Sequence, residues 1–345
     1  MMLSGRFTFY DIDAIGYFRR GIDDPIFGNT ASCLEQLRQW ATSEDIVLRD
    51  TCTYEPDGRG DRLRTYCFDM VRSVRHGDFI LTTWNEIPTI EGKTPTVDGR
   101  ERVGSAHVEL SDLPAGGIPG YPTYFWFIPS ENRFATVTFD SILNGHQNLG
   151  LYLGGFLRTF SPHAVRRTNA EGGIDVTGYR QSSDDAPENL YPRFLSSLCQ
   201  NRTAISFIKR NRQSITKYIR KMKVEPHITR DVGLLRQLFE HATNLDQDQR
   251  APDPLKVRYE VDVTPSAADL NAMIQDWQRT HTTRWDDVGF KISGDDRNIR
   301  WLSHSLARSD FDLDIDGDTT PTVGAQALLN AIEAQRDTIK AIART

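Results

Sequence analysis

The apolar positions of this chain recur at two spacings, every second residue in some stretches and every third or fourth in others. Arg6 to Asp11 (RFTFYD) has the two-residue spacing of a short strand. Residues 17–28 carry Gly21, Pro25 and Gly28 and predict a loop. Asn29 or Thr30 then caps a helix whose apolar face is Leu34, Leu37 and Trp40. Strands follow at Thr51 to Tyr54, Leu63 to Met70 and Phe79 to Trp84. Asp57, Gly58 and Gly60 mark one hairpin turn, and His76-Gly77-Asp78 the next. Residues 88–102 are polar, broken by Pro88, Gly92, Pro95 and Gly99, and predict a loop.

The clearest hairpin joins Tyr121 to Ile128 (YPTYFWFI) and Phe134 to Phe139 (FATVTF) through Pro129-Ser130-Glu131-Asn132. Its aromatic run, Tyr124 to Phe127, reads as core, because consecutive strand residues face opposite sides. His146 to Phe160 predicts a helix ended by Ser161-Pro162. Residues 168–189 are polar, contain Gly172-Gly173 and Pro187, and mark a linker or loop. Next come Ile215, Tyr218, Ile219 and Met222 at helical spacing, although Ile215, Lys217, Ile219 and Lys221 also fit a strand in part.

The last third alternates most cleanly. Lys256 to Val263 (KVRYEVDV) places Val257, Tyr259, Val261 and Val263 on one strand face. Pro265-Ser266 opens a helix with Leu270, Met273, Ile274 and Trp277 on one side. Val288, Phe290 and Ile292 form a strand that turns at Gly294-Asp295-Asp296; Phe311, Leu313 and Ile315 form another. A helix runs from about Val323 to Ala343 with a heptad-like seam of Leu328, Ile332, Ile339 and Ile342, Gln335 filling the skipped place. The seam is expected to pack on its own sheet. The fold class is α+β, two domains with antiparallel sheets and packed helices, the second a C-terminal β-α-β-β-α unit. The expected divisions are residues 1–167, a linker and basic segment over 168–255, and 256–345.

Charge changes this picture. Between Asn189 and Val224 stand nine Lys/Arg residues and no Asp or Glu: Arg193, Arg202, Lys209, Arg210, Arg212, Lys217, Arg220, Lys221 and Lys223. The chain as a whole has formal charge −6, so the remainder carries −15. Segregation of this kind suggests a surface that meets a polyanion, or a solvated basic face with no partner. The expected DNA-binding set is Lys209, Arg210, Arg212, Lys217, Arg220, Lys221 and Lys223, with Arg166 and Arg167 as an extension. Arg158, His163, Arg19 and Arg20 are further candidates on charge alone.

Other chemistry is weakly signalled. Cys33, Cys52, Cys67 and Cys199 show no metal-type spacing and read as buried free thiols, which fits a cytoplasmic protein; the N-terminus shows no secretory pattern. Asp312, Asp314, Asp316, Gly317 and Asp318 resemble the start of a calcium loop, but Val323 occupies the place of its bidentate Glu. A strand with outward aspartates explains the run. Asp78, Glu91 and Lys93 echo the two-carboxylate-plus-lysine set of metal-dependent nucleases, yet PTIEGKTP is a poor central strand. No catalytic residue, metal site or cofactor is assigned.

The order of these pieces is similar to that of the RexA-like phage-exclusion proteins of lambdoid prophages. The likeness is carried by Gly5-Arg6-Phe7-Thr8-Phe9-Tyr10, the hairpin GYPTYFWFIPSENRFATVTF, the strand KVRYEVDVTP, the segment DVGFKISGDD and the terminal helix. It implies a dimeric DNA-binding protein of phage exclusion or antiphage defence, with no known catalytic centre, alongside a membrane ion-channel partner; together with the basic run, the expected ligand is double-stranded DNA bound without strong sequence preference. No binding residue carries over from it. The DNA-binding subunit of the Kiwa defence system has similar size and division of labour. A metal-dependent nuclease and a basic protein-interaction module are the alternatives.

Overall fold

The structure, a computed structural model, describes residues 1–56, 63–87, 94–111, 116–139, 145–169, 173–199, 202–224, 255–280, 286–294, 298–305, 307–316 and 322–343. The expected turn at Asp57 to Gly60, and Glu91, Lys93, Asp295, Asp296, Gly317 and Asp318, lie outside them. Contacts divide the chain into two units, Met1–Cys199 with Ala307–Arg344, and Gln200–Leu306. The second is an insertion in the first. Its two ends leave unit 1 side by side, with the Ala307 amide donating to the Cys199 carbonyl at 2.9 Å.

In chain order unit 1 begins with β1 (Met2–Phe18), α1 (Thr30–Ala41), β2 (Thr65–Arg72), β3 (Phe79–Glu86), β4 (Thr94–Asp98), β5 (Val108–Ser111), β6 (Gly117–Ile128) and β7 (Arg133–Thr138). It continues with α2 (His146–Gly155), β8 (Ala164–Thr168), β9 (Ile174–Tyr179) and β10 (Tyr191–Leu198). Unit 2 contains α3 (Arg202–Arg210), β11 (Ile215–Val224), β12 (Leu255–Asp262), α4 (Ala267–Thr280), β13 (Asp287–Ile292) and β14 (Arg300–Trp301). The chain then returns to unit 1 as β15 (Arg308–Asp314), α5 (Ala325–Ala334) and α6 (Arg336–Ala341). The fold is α+β and its paired strands are antiparallel.

The main sheet of unit 1 runs β10-β1-β7-β6-β3-β2, and β15 pairs with the first half of β1. Consecutive residues of β6 enter different cores. Phe125 and Phe127 pack with Leu34 and Leu37 of α1 and Leu149 and Leu153 of α2. Tyr124 and Trp126 pack with Leu328 and Ile332 of α5 and Ile339 of α6. Helices therefore cover both faces of the sheet, which is why its central strands read as unbroken apolar runs. The aromatic run of the hairpin is core, as its strand geometry predicts.

Several sequence expectations change. The strand at Arg6 to Asp11 extends over 17 residues, because β1 serves β15, β7 and β10 in turn. Near its end Gly16 has φ +125°, and a Cβ there would sit 2.7 Å from the Phe27 carbonyl oxygen. Only glycine fits this close approach. The strand expected at Thr51 to Tyr54 is instead a 3-10 turn over Leu48–Thr51. Part of the loop expected over 88–102 is β4. The linker expected over 168–189 contains the end of β8 and all of β9, within unit 1, and the units divide after Cys199. The terminal helix is two helices that meet at Gln335, whose side-chain amide donates to the Asp312 carbonyl at 2.8 Å. Its apolar seam packs inside unit 1, as expected.

The expected C-terminal β-α-β-β-α order occurs along the chain but is shared between the units. β12, α4 and β13 belong to unit 2, whereas β15, α5 and α6 belong to unit 1. Strand pairing to β1, some 300 residues away, decides this, and no local pattern encodes it.

Candidate nucleic-acid interface

The division into units preserves the sign of the charge asymmetry but reduces its size, because unit 2 adds acidic residues to the run and Arg193 stays in unit 1. Residues 200–306 carry 18 Lys/Arg against 14 Asp/Glu, a net +4, which leaves unit 1 at −10. The basic run begins with Arg193 on β10 of unit 1 and continues in unit 2 as α3, an amphipathic helix that buries Ile205 and Ile208. Lys209 and Arg210 fall in its last turn and are exposed. Cations there complement the carbonyl end of the helix dipole. The helix stops at Asn211, whose side-chain amide donates to the Phe207 carbonyl at 2.9 Å.

After a 3-10 turn at Arg212–Ser214 the chain becomes β11, so the strand reading of residues 215–224 holds. The unit 2 sheet runs β12-β11-β13-β14. Strand alternation splits the cations of β11 between its two faces. Lys217 and Lys221 share one face with Arg258 and Glu260 of β12, Lys291 of β13 and Trp301 of β14. Arg220 points to the other face and pairs with Asp286 at 3.2 Å, its side chain only 11% exposed.

The run is free of acid in sequence but not in space. Lys217 Nζ lies 3.3 Å from Asp262 and 4.0 Å from Glu260. Glu260 also takes Arg258 at 2.9 Å and Lys291 at 3.4 Å. The guanidinium of Arg258, with help from Lys291, holds the Glu260 carboxyl below its usual range. Lys221 has no acidic partner among the described residues; its Nζ stands 3.9 Å from the Trp301 ring centre. The Arg258 guanidinium approaches the same ring at 6.0 Å. Arg300 lies over Phe207 of α3 at 5.2 Å. These contacts are cation–π pairs.

The expected residues thus sort into four groups. Lys209, Arg210 and Lys221 carry charge with no ion pair among the described residues. Lys217 and Arg220 are paired, and Arg212 donates to the Pro265 carbonyl at 3.0 Å. Lys223 belongs to β11, but its side chain lies outside the described residues. Arg166 and Arg167 are exposed on β8 in unit 1 and belong to a different unit from the rest.

Sequence reasoning missed Arg258, Lys291, Arg300 and Trp301. Their proximity depends on strand pairing, although the outward positions of KVRYEVDV already displayed Arg258 beside Glu260. Tyr259 and Val261, which the alternation places on one strand face, are 41% and 47% exposed. β12 is bonded to β11 on one side only, among the described residues, which leaves this apolar face less covered than that of β13.

The other candidate chemistries have structural explanations. Asp78 is fully buried, receives Arg336 through two bonds of 2.7 and 2.9 Å, and accepts from the Trp126 indole at 3.1 Å. Asp312, Asp314 and Asp316 point outward while Leu313 and Ile315 are buried, and Asp314 holds the N-terminal amine at 3.1 Å. Among the described residues no three His, Cys, Asp or Glu side chains gather as a metal site. All four cysteines are free thiols; Cys33, Cys67 and Cys199 are buried, and Cys52 is half-buried. No described helix is long and apolar enough to cross a membrane. Compared with known proteins, the chain matches no family model, no curated protein and no solved structure.

Proposed function

We propose that this protein binds the phosphate backbone of double-stranded DNA through unit 2, without strong sequence preference. The observation that carries this reading is the charge division, +4 on the inserted unit against −10 on the unit that holds it. Lys209, Arg210 and Lys221 are the cations best placed to meet phosphates, since none of them makes an ion pair among the described residues. Phosphate contacts made by such cations release counterions and give affinity without reading bases. Duplex is favoured over single strands because the aromatic rings beside these cations, Trp301 and Phe207, are already occupied by Lys221 and Arg300. A single strand needs open ring faces for its bases.

A role as sensor or effector in phage exclusion, with a membrane ion-channel partner, rests on the RexA-like layout of the sequence. The binding itself is tested with a labelled duplex of ~30 base pairs, sized for several phosphate contacts. Lys209→Glu, Arg210→Glu and Lys221→Glu combined should abolish binding at moderate salt while the protein stays folded. Arg220→Gln should leave binding unchanged, because Asp286 already occupies that cation. Undiminished binding by the folded triple variant overturns the site. Loss of the duplex in Mg²⁺ would instead favour a nuclease, and co-purification of an acidic protein without any DNA binding would favour an interaction module.

A further inference from the structure

Among the described residues β12 is an edge strand, and its sequence is complementary to itself. It runs over eight residues, pairs with β11 without a bulge, and has no second neighbour among the described residues. Natural edge strands are usually blunted by proline, by bulges or by like charges, because their free backbone groups recruit other strands. Here the charges come in two halves of opposite sign. Lys256 and Arg258 precede Tyr259, and Glu260 and Asp262 follow it.

An antiparallel pairing of two such strands about Tyr259 sets each residue opposite its mirror position. Arg258 then faces Glu260 of the second copy, and position 256, a lysine, falls opposite position 262, an aspartate. On the other face Val257 meets Val261, and Tyr259 meets Tyr259. Directly opposed residues share a sheet face, so the charged pairs collect on one side and the apolar pairs on the other. The apolar side is the one that displays Tyr259 and Val261, 41% and 47% exposed in the single chain. A large aromatic and a β-branched residue open to water on an edge with no neighbour among the described residues are what such a seam would cover. One register satisfies every position, and a two-fold axis through Tyr259 generates it.

We propose that two copies of this chain pair β12 to β12, antiparallel and centred on Tyr259. The two four-stranded sheets become one sheet of eight strands. Both copies of Lys217 and Lys221 then lie on one face of it, because that face also carries Arg258 and Glu260. The pairing stands whether or not unit 2 binds DNA.

The test is the mass of the full chain in solution, by sedimentation velocity over a range of concentrations without nucleic acid. The wild-type chain should move from 39.2 kDa toward twice that mass as concentration rises. Arg258→Glu places two carboxylates opposite each other, and Glu260→Arg two guanidiniums, so each variant alone should stay at the single-chain mass. Mixed in equal amounts they should form the dimer again, since each cation then meets an anion. A wild-type chain that never dimerises, a dimer that survives both substitutions, or a mixture that stays monomeric overturns the proposal. Circular dichroism checks that the variants fold. If either does not, Tyr259→Lys sets two like charges on the axis at an exposed position and should give a folded monomer; a dimer that persists in it also overturns the proposal.

Discussion

Unit 1 and unit 2 both hold a cation beside a carboxylate, and the two settings have little in common. In unit 1 Asp78 is buried at the β2–β3 turn, gripped by Arg336 and the Trp126 indole, and ties α6 to the sheet. In unit 2 Glu260 shares Arg258, Lys291 and Lys217 on an open sheet face. Removing one member of a buried pair strands the other charge away from water, whereas exposed pairs trade their attraction against solvent and salt. The difference teaches that the Asp78 pair serves the architecture of its own unit, whereas the cluster around Glu260 lies where another molecule can reach it.

The sharpest break between the two is Asp78→Ala. It leaves the Arg336 guanidinium without its partner in a site only 12% exposed, and should cost about 3–5 kcal/mol in denaturant unfolding. Asp262→Asn in unit 2 removes an ion pair at 3.3 Å on an open face and should leave the unfolding midpoint within scatter. Equal losses from the two substitutions would erase the contrast.

Next in size is a pH effect confined to unit 1. Burial pushes the His146 imidazole down to about 4, and the ring stacks on Tyr10 with centres 4.2 Å apart. Unfolded, it takes a proton near ~6.5. Between those values the unfolded chain binds more protons than the folded one. The contribution of neutral His146 is therefore complete above about pH 6.5 and is lost as pH falls toward 4, up to about 3 kcal/mol. His146→Phe, which keeps a ring on Tyr10, should flatten the stability profile over that window. A profile unchanged by the substitution would mean that the proton goes elsewhere.

The smallest expected effect on stability comes from the proposed interface itself. Lys209→Glu, Arg210→Glu and Lys221→Glu should shift the unfolding midpoint little while removing DNA binding. The first two residues are exposed, and the third makes no ion pair among the described residues and rests its ammonium on the Trp301 ring.

What the sequence displayed was local. The β6–β7 hairpin, the α1 cap at Asn29, α2 and the apolar seam of the last helices each follow from spacing over a few residues. The fold class followed from them. The insertion did not, because it depends on β15 returning to β1 and on the contact between Cys199 and Ala307. The candidate site was legible as a run of cations, of which Lys209, Arg210 and Lys221 make no ion pair among the described residues. Its neutralising partners were not legible, because Glu260, Asp262 and Asp286 reach β11 only through strand pairing or from the loop before β13.

The central claim is that unit 2 carries the polyanion surface, and a salt titration of duplex binding tests it most directly. Three phosphate contacts, one each from Lys209, Arg210 and Lys221, predict that log affinity falls against log salt with a slope of about −3, the same for unrelated sequences. The Lys209, Arg210 and Lys221 charge-reversal variant should lose that binding. A slope near zero, no binding at low salt, or a variant that binds like the wild type would contradict the account.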